Sequence, residues 1–243
     1  MTHIVATCQL NDVQDDIYSS IRIIEANLSE AEDNNVDIVC FPECFLQGYT
    51  LDEKVTKARA LALDSAQFKL LLVATARYKT AAIIGLIEEE NGKYFNAAVV
   101  IKQGKVVGKY RKVHLFEENF QAGNDYPVFT VNNLTFGINI CYDARFSDGA
   151  MELKKKGAEI IFYPLNNRLS REKALKYREK HLPNLIDRAK ETGCWIVSSD
   201  VVFESTEDLG FGCTAIVDPT GKVVSRVKEL QSSMLIAEIK LTK

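Results

Sequence analysis

The chain has 243 residues, 47% of them hydrophobic, and a formal net charge of −3 at pH 7. These values provide material for a substantial hydrophobic core and exclude the strongly basic surface of a nucleic-acid-binding protein. The opening sequence MTHIVATCQL has the pattern of a strand, and no stretch approaches the roughly 18 apolar residues of a membrane span, so we expect neither a signal peptide nor a membrane segment.

The first half of the chain is predicted to alternate strands with helices and then to form a meander. The predicted strands cover residues 3–10, 36–41, 81–88, 94–102 and 105–110. The predicted helices follow an Asn11 or Asp12 cap, cover residues 51–58, and run from a Ser65 cap to about residue 79. Asn-Gly and Gln-Gly pairs at the turns of the last three strands are typical of hairpins.

The second half begins with a long loop over residues 111–126, which is rich in charged and aromatic residues and is predicted to be functional. The strands that follow are predicted at 128–131, 134–140, 158–163, 194–202, 212–217, 223–227 and 234–239. Helices are predicted at 147–156 and 171–192, the second one kinked or restarted at Pro183. Without a repeat or linker, the pattern indicates one α/β domain over residues 1–243, with a large mixed sheet or two sheets and helices outside.

The six cysteines are scattered, most of them in or beside apolar strand-like runs. A chain of this length does not need disulfides for stability, so we expect free thiols in a reducing, cytoplasmic environment. Cys40 and Cys44 are closely spaced, but no second cluster of Cys or His stands near them to complete a zinc site. The cysteines interpreted as apolar filling are Cys8, Cys40, Cys194 and Cys213.

Cys141 differs from these because it follows directly on the predicted strand 134–140, in the stretch FGINICYDARF. In an α/β sheet, reactive groups lie in the crevice beyond the carboxyl ends of the strands. Cys141 is therefore a candidate nucleophile. The alternative is a small apolar side chain that fills a gap.

Glu43 and Lys112 are polar residues that follow two other predicted strands. The apolar neighbours of Glu43 in VCFPECF should desolvate its carboxylate and raise its pKa, which suits a general base. Lys112, in KYRKVHLF, suits stabilisation of a developing oxyanion. The alternatives are a carboxylate that accepts backbone hydrogen bonds and a solvated lysine at the rim of a sheet.

A cysteine nucleophile needs a base, an oxyanion donor and an apolar wall. Histidine, the usual base, occurs only as His3, His114 and His181. His3 begins a strand and His181 lies in a predicted helix, whereas His114 is close in sequence to Lys112. A cysteine–histidine pair therefore stays open beside a cysteine–glutamate pair.

Three blocks, FPECFLQGY (41–49), KYRKVHLF (109–116) and NICYDARF (139–146), resemble the catalytic blocks of the nitrilase superfamily of carbon–nitrogen hydrolases and stand in the family's order. Further similar stretches cover most of the chain, as far as CTAIVDPTGKVV (213–224). The resemblance implies an α-β-β-α sandwich of two mixed β-sheets with helices on the outer faces. It also implies a homodimer or a higher homo-oligomer.

The resemblance further implies a catalytic triad of Glu43 as general base, Lys112 as transition-state stabiliser and Cys141 as nucleophile. Members of the family often carry a second glutamate near the site. In EENFQAG (117–123) the better match to it is Glu118, with Glu117 as the fallback.

The implied reaction is hydrolysis of a small non-peptide amide through a cysteine thioester, with release of ammonia or an amine and without a metal or organic cofactor. Lys112 and the backbone N–H of Tyr142 are expected to hold the oxyanion. The expected lining residues are Tyr49, His114, Phe116, Tyr142, Arg145 and the segment 166–168, which includes Asn166. CYDARF and HLF resemble the branch that acts on ω-amides of dicarboxylates, whereas Ser147 and YPLNNRLS (163–170) depart from the family's pattern and leave the substrate open.

Other reactions of the superfamily are alternatives: nitrile hydrolysis, cleavage of N-carbamoyl amines or amino acids, and acyl transfer. A catalytically silent binding protein on this fold and a redox-sensing thiol protein are interpretations from other functional classes. Because all three triad positions are occupied, the sequence favours an enzyme.

Overall fold

The computed structural model describes residues 1–241, and fourteen strands lie in that part of the chain. The strands are β1 (Thr2–Asn11), β2 (Ile38–Cys40), β3 (Ala81–Glu90), β4 (Lys93–Lys102), β5 (Lys105–Arg111), β6 (Val128–Val131), β7 (Leu134–Ile138), β8 (Ile160–Pro164), β9 (Leu169–Ser170), β10 (Trp195–Glu204), β11 (Asp208–Gly210), β12 (Ala215–Val217), β13 (Val223–Arg226) and β14 (Ser233–Lys240). The helices are α1 (Ile17–Asp33), α2 (Glu53–Arg59), α3 (Ala66–Thr75), α4 (Ser147–Lys155), α5 (Arg171–Tyr177) and α6 (His181–Thr192). A 3₁₀ turn over Cys141–Arg145, called here the 141–145 turn, follows β7.

Two mixed sheets make up the centre of the structure. The first has the order β5-β4-β3-β2-β1-β14, and the second has the order β6-β7-β8-β10 followed by β12 and β13. The carboxyl-terminal ends of β1 and β10 pair in parallel, Gln9 opposite Asp200, and join the two sheets at one edge. Pairing of β1 with β2 and of β7 with β8 is also parallel, so the chain after these strands emerges at the carboxyl ends.

Three apolar clusters separate four layers. The alternation of side chains along each strand explains why one strand serves two clusters. In β2 and its extension, Val39 and Phe41 face α1 and α3, whereas Ile38 and Cys40 face the second sheet. A third cluster packs the second sheet against α4 and α6. This is the α-β-β-α sandwich of two mixed sheets that the resemblance implies, so the predicted fold class is confirmed.

The helix termini follow from local hydrogen bonding. Asp16, rather than the predicted Asn11 or Asp12, caps α1, because β1 continues to Asn11 and the Asp16 carboxylate accepts from the Ser19 N–H at 2.9 Å. Ser65 caps α3 as predicted and accepts from the Phe68 N–H at 3.2 Å. Pro183 lies in the first turn of α6, where its missing N–H breaks no helical bond.

The short strands β9 and β11 were not predicted, because two or three residues carry too little periodicity to be recognised. Strand β7 ends at Ile138 rather than at the predicted Ile140. None of the helices in residues 1–241 is both long and apolar enough to span a membrane.

Candidate active site

Glu43, Lys112 and Cys141 each follow a strand, and the charges of Glu43 and Lys112 lie close enough to the Cys141 thiol to act on its pKa. Glu43 lies in the turn after β2, and Lys112 directly follows β5, both in the first sheet. Cys141 follows β7 in the second sheet. Glu43 and Lys112 are each only 1% exposed. The tertiary structure thus brings together two buried opposite charges and a thiol, from positions far apart in sequence.

The ammonium group of Lys112 is held between two carboxylates. Its Nζ donates to Oε1 of Glu43 at 2.9 Å and to Oε1 of Glu117 at 2.7 Å. A buried ammonium is tolerated only when it is paired and hydrogen-bonded, and these two contacts provide that pairing. The surface interpretation of Lys112 is therefore wrong.

The prediction of Glu118 as the second glutamate is corrected to Glu117. Glu117 is 4% exposed and contacts Lys112, whereas the side chain of Glu118 is exposed and lines a surface cleft. Oε1 of Glu117 also accepts from the Tyr49 hydroxyl at 2.9 Å, and Oε2 accepts from the Phe116 N–H at 2.9 Å. Adjacent residues in an irregular loop face different directions, and here the first of the two faces inward.

Asn96, in β4, links the two carboxylates and was not predicted from the sequence. Its Nδ2 donates to Glu43 at 2.7 Å and to Glu117 at 3.2 Å. The available signal was an amide on a buried face of an apolar strand, which requires hydrogen-bond partners in the interior. Asn96 therefore fixes the separation of Glu43 and Glu117.

Gly85 of β3 allows the turn that carries Glu43 to pack closely on the sheet. A Cβ atom at this position would lie 2.3 Å from the carbonyl oxygen of Pro42 and 2.5 Å from the backbone nitrogen of Cys44. The N–H of Glu43 also donates to the carbonyl of Leu165, beyond β8, at 3.1 Å. Glu43 is thus placed by backbone packing on one sheet and by a hydrogen bond to the other.

The electrostatics separate the roles of the two glutamates. Burial, together with the negative charge of Glu117, raises the pKa of Glu43. Burial also opposes ionisation of Glu117, but the Lys112 ammonium outweighs it and holds the pKa of Glu117 below its usual value. Although burial alone would lower it, the pKa of Lys112 is raised well above its usual value by both carboxylates. The structure therefore favours the charged forms of Lys112 and Glu117, and it favours the protonated form of Glu43 more than water does.

Cys141 adopts a left-handed backbone conformation, with φ of 43°, which is unfavourable for a residue with a side chain. Its side chain is half-buried between two of the apolar clusters. Burial and the Glu43 carboxylate raise the pKa of the thiol, while Lys112 and the backbone N–H of Asn166 act in the opposite direction. The net effect of these surroundings favours the protonated thiol over the thiolate.

The remaining predicted lining residues lie around the 141–145 turn or beyond β8. Tyr142 is half-buried, and its ring packs on Phe116 with centroids 5.8 Å apart. The exposed Arg145 guanidinium lies 5.2 Å from the Tyr142 ring centroid. His114 packs on Phe146, with ring centroids 4.1 Å apart, and contacts aspartates rather than the thiol. The cysteine–histidine alternative has no support in this geometry.

Asn166 and Asn167 are both buried, and the backbone N–H of Asn166 faces the thiol. Asn167 is anchored by Asp200, another residue that was not predicted. The Asp200 carboxylate accepts from the Asn167 backbone N–H at 3.0 Å and from its side-chain Nδ2 at 2.7 Å. Burial raises the pKa of Asp200 to about 6. A charged residue within the apolar strand β10 was the signal in the sequence.

Comparisons with known proteins agree with this geometry. Residues 4–243 match the model of the family described as carbon-nitrogen hydrolase. A nitrilase from Pyrococcus abyssi is 30% identical over 224 residues, covering 89% of this chain and 82% of the relative. An omega-amidase from Xenopus laevis is 28% identical, covering 88% and 80%, respectively. The crystal structure of an amidase from Nesterenkonia sp. superposes with a TM-score of 0.84 at 19% identity, covering 98% of this chain and 90% of that one.

The chain belongs to the carbon-nitrogen hydrolase family, within the nitrilase superfamily. The predicted resemblance and the predicted class of enzyme are thereby confirmed.

Proposed function

We propose that this enzyme hydrolyses the carbon–nitrogen bond of a small non-peptide amide through a thioester at Cys141. The observation that carries the proposal is that the buried ammonium group of Lys112 is held between Glu43 and Glu117. Lys112 also interacts electrostatically with the thiol of Cys141. This arrangement supplies the base, the cation and the nucleophile that acyl transfer from an amide requires.

Acylation begins when Glu43 takes the proton of Cys141 and the thiolate attacks the carbonyl carbon. The carbonyl oxygen becomes an oxyanion, which the Lys112 ammonium and the N–H of Tyr142 stabilise. Glu43 then gives its proton to the leaving nitrogen, the carbon–nitrogen bond breaks, and ammonia or an amine departs. The acyl group remains on sulfur as a thioester.

Deacylation uses water as the nucleophile, and Glu43 again acts first as a base and then as an acid. Glu43 removes a proton from water, and the resulting hydroxide attacks the carbonyl carbon of the thioester. The carbon–sulfur bond then breaks, and Glu43 returns the proton to the sulfur of Cys141. Glu117 remains a carboxylate throughout, because Lys112 lowers its pKa. In this mechanism Glu117 holds Lys112 in place and does not carry protons.

The relatives support amide hydrolysis within the range of reactions in the family. One structure of a Nesterenkonia amidase variant shows covalent addition of the acetamide moiety of fluoroacetamide at the active site cysteine. Several relatives carry the name omega-amidase. We propose an ω-amide of a dicarboxylate as the substrate class, with Arg145 as the partner of the distal carboxylate. Arg145 is exposed, its guanidinium lies over the Tyr142 ring, and it belongs to the same turn as Cys141.

A second candidate is nitrile hydrolysis, because the Pyrococcus abyssi relative carries the name nitrilase. The same nucleophile would attack a nitrile carbon. N-carbamoyl amines provide a third substrate class with the same thioester logic. The three substrate classes require pockets of different shape and charge, but they use the same triad.

The test is release of ammonia from four matched panels: simple amides, ω-amides of dicarboxylates, N-carbamoyl amines and nitriles. We expect turnover of the ω-amides and its loss in Cys141→Ala without loss of fold. In Glu43→Gln, mass spectrometry should detect an acyl adduct on Cys141 if any acylation remains. Full activity of Cys141→Ala would overturn the mechanism, and turnover of the nitriles alone would overturn the substrate class.

We also propose a homodimer in a cytoplasmic, reducing compartment. All six cysteines lie in the described residues and are free thiols, which supports a reducing environment. The family resemblance supports the dimer. Sedimentation of the purified chain at several concentrations tests the assembly, and a stable monomer would contradict it.

A further inference from the structure

The candidate active site is divided between two sheets. Glu43 and Lys112 belong to the first sheet, and Cys141 belongs to the second. Proton transfer and attack require alignment to a fraction of an ångström, and a misplacement of about 1 Å costs on the order of 100-fold in rate. Contacts that fix one sheet relative to the other at this point therefore act directly on the chemistry.

The carboxylate of Asp143 makes such contacts. Its Oδ2 accepts from the Tyr110 hydroxyl and from the Ile140 N–H, both at 2.8 Å. Its Oδ1 accepts from the backbone N–H of His114 at 2.8 Å and lies 3.2 Å from the Nδ1 of the same residue. One carboxylate thus joins β5, the loop after Lys112 and the residue that precedes Cys141.

We propose that Asp143 is a positioning residue that holds Cys141 in register with Lys112 and Glu43. Tyr110, His114 and Asp143 are called here the Asp143 clamp. Tyr110 and His114 stand two residues before and two residues after Lys112, so the clamp holds the lysine segment on both sides. The inference rests on the proposed function, because it assumes that these three residues react together.

The strained conformation of Cys141 explains why a clamp is needed. A positive φ at a residue other than glycine persists only where the surroundings fix it. Asp143 closes the 141–145 turn from inside, since its own N–H donates to the carbonyl of Ile140 at 3.0 Å and its side chain accepts from the Ile140 N–H. On the α6 side, Arg188 donates to the carbonyl of Ala144 at 3.1 Å.

Hydrogen-bond donors and one histidine surround the buried carboxylate of Asp143. Asp143 is 1% exposed, so its carboxylate depends on these donors for solvation. His114 lies between Asp143 and the exposed Asp148 of α4, with 3.2 Å from its Nε2 to the Asp148 carboxylate. The Tyr126 ring stacks on Tyr110 at 6.2 Å, and its hydroxyl donates to Asp148 at 3.4 Å. The titratable groups close to Asp143 are therefore His114, Tyr110, Tyr126 and Tyr163, and His114 lies between Asp143 and Asp148.

The decisive variant is Asp143→Asn, which keeps the size of the side chain but replaces one accepting oxygen by a donor. We expect kcat to fall by about tenfold or more, because the thiol loses its register with Lys112 and Glu43. KM for a simple amide should stay within about threefold, since such a substrate does not use Arg145 of the same turn. Alkylation of Cys141 by iodoacetamide at neutral pH should slow in parallel, because Glu43 no longer takes the thiol proton efficiently.

Asp148→Asn is the matched control. It removes a carboxylate that contacts the same histidine but leaves the 141–145 turn untouched, so kcat should change by less than about twofold. Tyr110→Phe removes a single hydroxyl from the clamp and should give a smaller loss of kcat than Asp143→Asn. If Asp143→Asn fails to fold, Tyr110→Phe still carries the test.

The outcomes separate the clamp from the proposed function. If the wild-type protein hydrolyses none of the four panels, the proposed function fails, and the alkylation rates alone decide the clamp. Normal kcat and alkylation in a folded Asp143→Asn would overturn the inference. An equal loss in Asp148→Asn would also overturn it, because general disturbance of His114 would then explain the effect.

Discussion

Glu43 and Glu117 direct their Oε1 atoms at the same ammonium group, yet their pKa values move in opposite directions. The distances to Lys112 Nζ are 2.9 Å and 2.7 Å, so proximity to the cation alone does not distinguish them. Glu117 receives additional donors from Tyr49 and from its own loop, and these stabilise its charge. Its charge in turn raises the pKa of Glu43. The cluster thereby gives two similar carboxylates different tendencies to bind a proton, as the proposed mechanism requires.

Replacement of Glu117 should change both kcat and the pH dependence of kcat/KM. In Glu117→Gln, we expect kcat to fall by about 100-fold, because Lys112 loses a partner that orients it. The pKa of Glu43 should fall, since a neighbouring negative charge that raises it is gone. The acid limb of kcat/KM should therefore move to lower pH. Glu118→Gln is the control and should change neither quantity; an equal loss in both variants would contradict the assignment of Glu117.

A methyl group at position 85 should displace Glu43. The added Cβ would meet backbone atoms of Pro42 and Cys44, which cannot rotate away, so the Glu43 turn must shift. We expect Gly85→Ala to lower kcat by about tenfold or more and the free energy of unfolding by about 1–3 kcal/mol. Steady-state kinetics and denaturant unfolding measure the two effects.

The control for this change is Gly92→Ala. Gly92 has a φ of 74° and no neighbouring atoms within 4 Å of an added Cβ, so the substitution strains a hairpin turn away from the triad. We expect a loss of about 1 kcal/mol in stability with unchanged kcat. Equal activity losses in the two glycine variants would show that destabilisation, rather than displacement of Glu43, is responsible.

Asp200 should make stability decrease as pH rises. Its pKa is raised from 3.8 to about 6 in the folded state, so the folded protein binds this proton more tightly than the unfolded chain does. Its favourable contribution is complete below the unfolded pKa and is lost as pH rises through the folded pKa. Between about pH 4 and pH 7 the wild-type protein should lose up to about 3 kcal/mol relative to Asp200→Asn. A difference in unfolding free energy that stays constant across this range would contradict the prediction.

His114 should give the same sign of dependence in a higher window. Its hydrogen bond to Asp143, and the charges of Asp143 and Asp148, raise its pKa above 6.5. The stabilisation from the charged imidazole is therefore complete below 6.5 and is lost as pH rises through the higher folded value. The difference in unfolding free energy between the wild-type protein and His114→Gln should shrink as pH rises. NMR titration of the imidazole in the wild-type protein and in Asp148→Asn would measure the shift directly.

Most of the fold could be predicted because its signals are local. Most strands of the two sheets lie in apolar runs, and the turns at Asn91-Gly92 and Asn132-Asn133 identify two hairpins. The short strands β9 and β11 form only because β10 extends far enough to pair with β11. Their formation depends on that pairing rather than on their own residues.

The site was only partly predictable for a similar reason. Cys141, Glu43 and Lys112 each carry a reactive group just after a predicted strand, which is visible in one dimension. Asn96 and Asp200 were overlooked because a polar residue within a strand gives no indication of its partners. Those partners are 53 residues away for Asn96 and Glu43 and 33 residues away for Asp200 and Asn167.

The sequence by itself determined the α/β pattern of strands and helices and the places where Glu43, Lys112 and Cys141 follow strands, because apolar periodicity and its interruptions are properties of neighbouring residues. The family came from the resemblance of three short blocks. The tertiary structure decided which of two adjacent glutamates faces Lys112 and which carboxylate holds the 141–145 turn against the opposite sheet. In an irregular loop no period fixes the direction of a side chain. Glu117 turns inward because a buried ammonium there needs a second anion, and Glu118 remains in solvent.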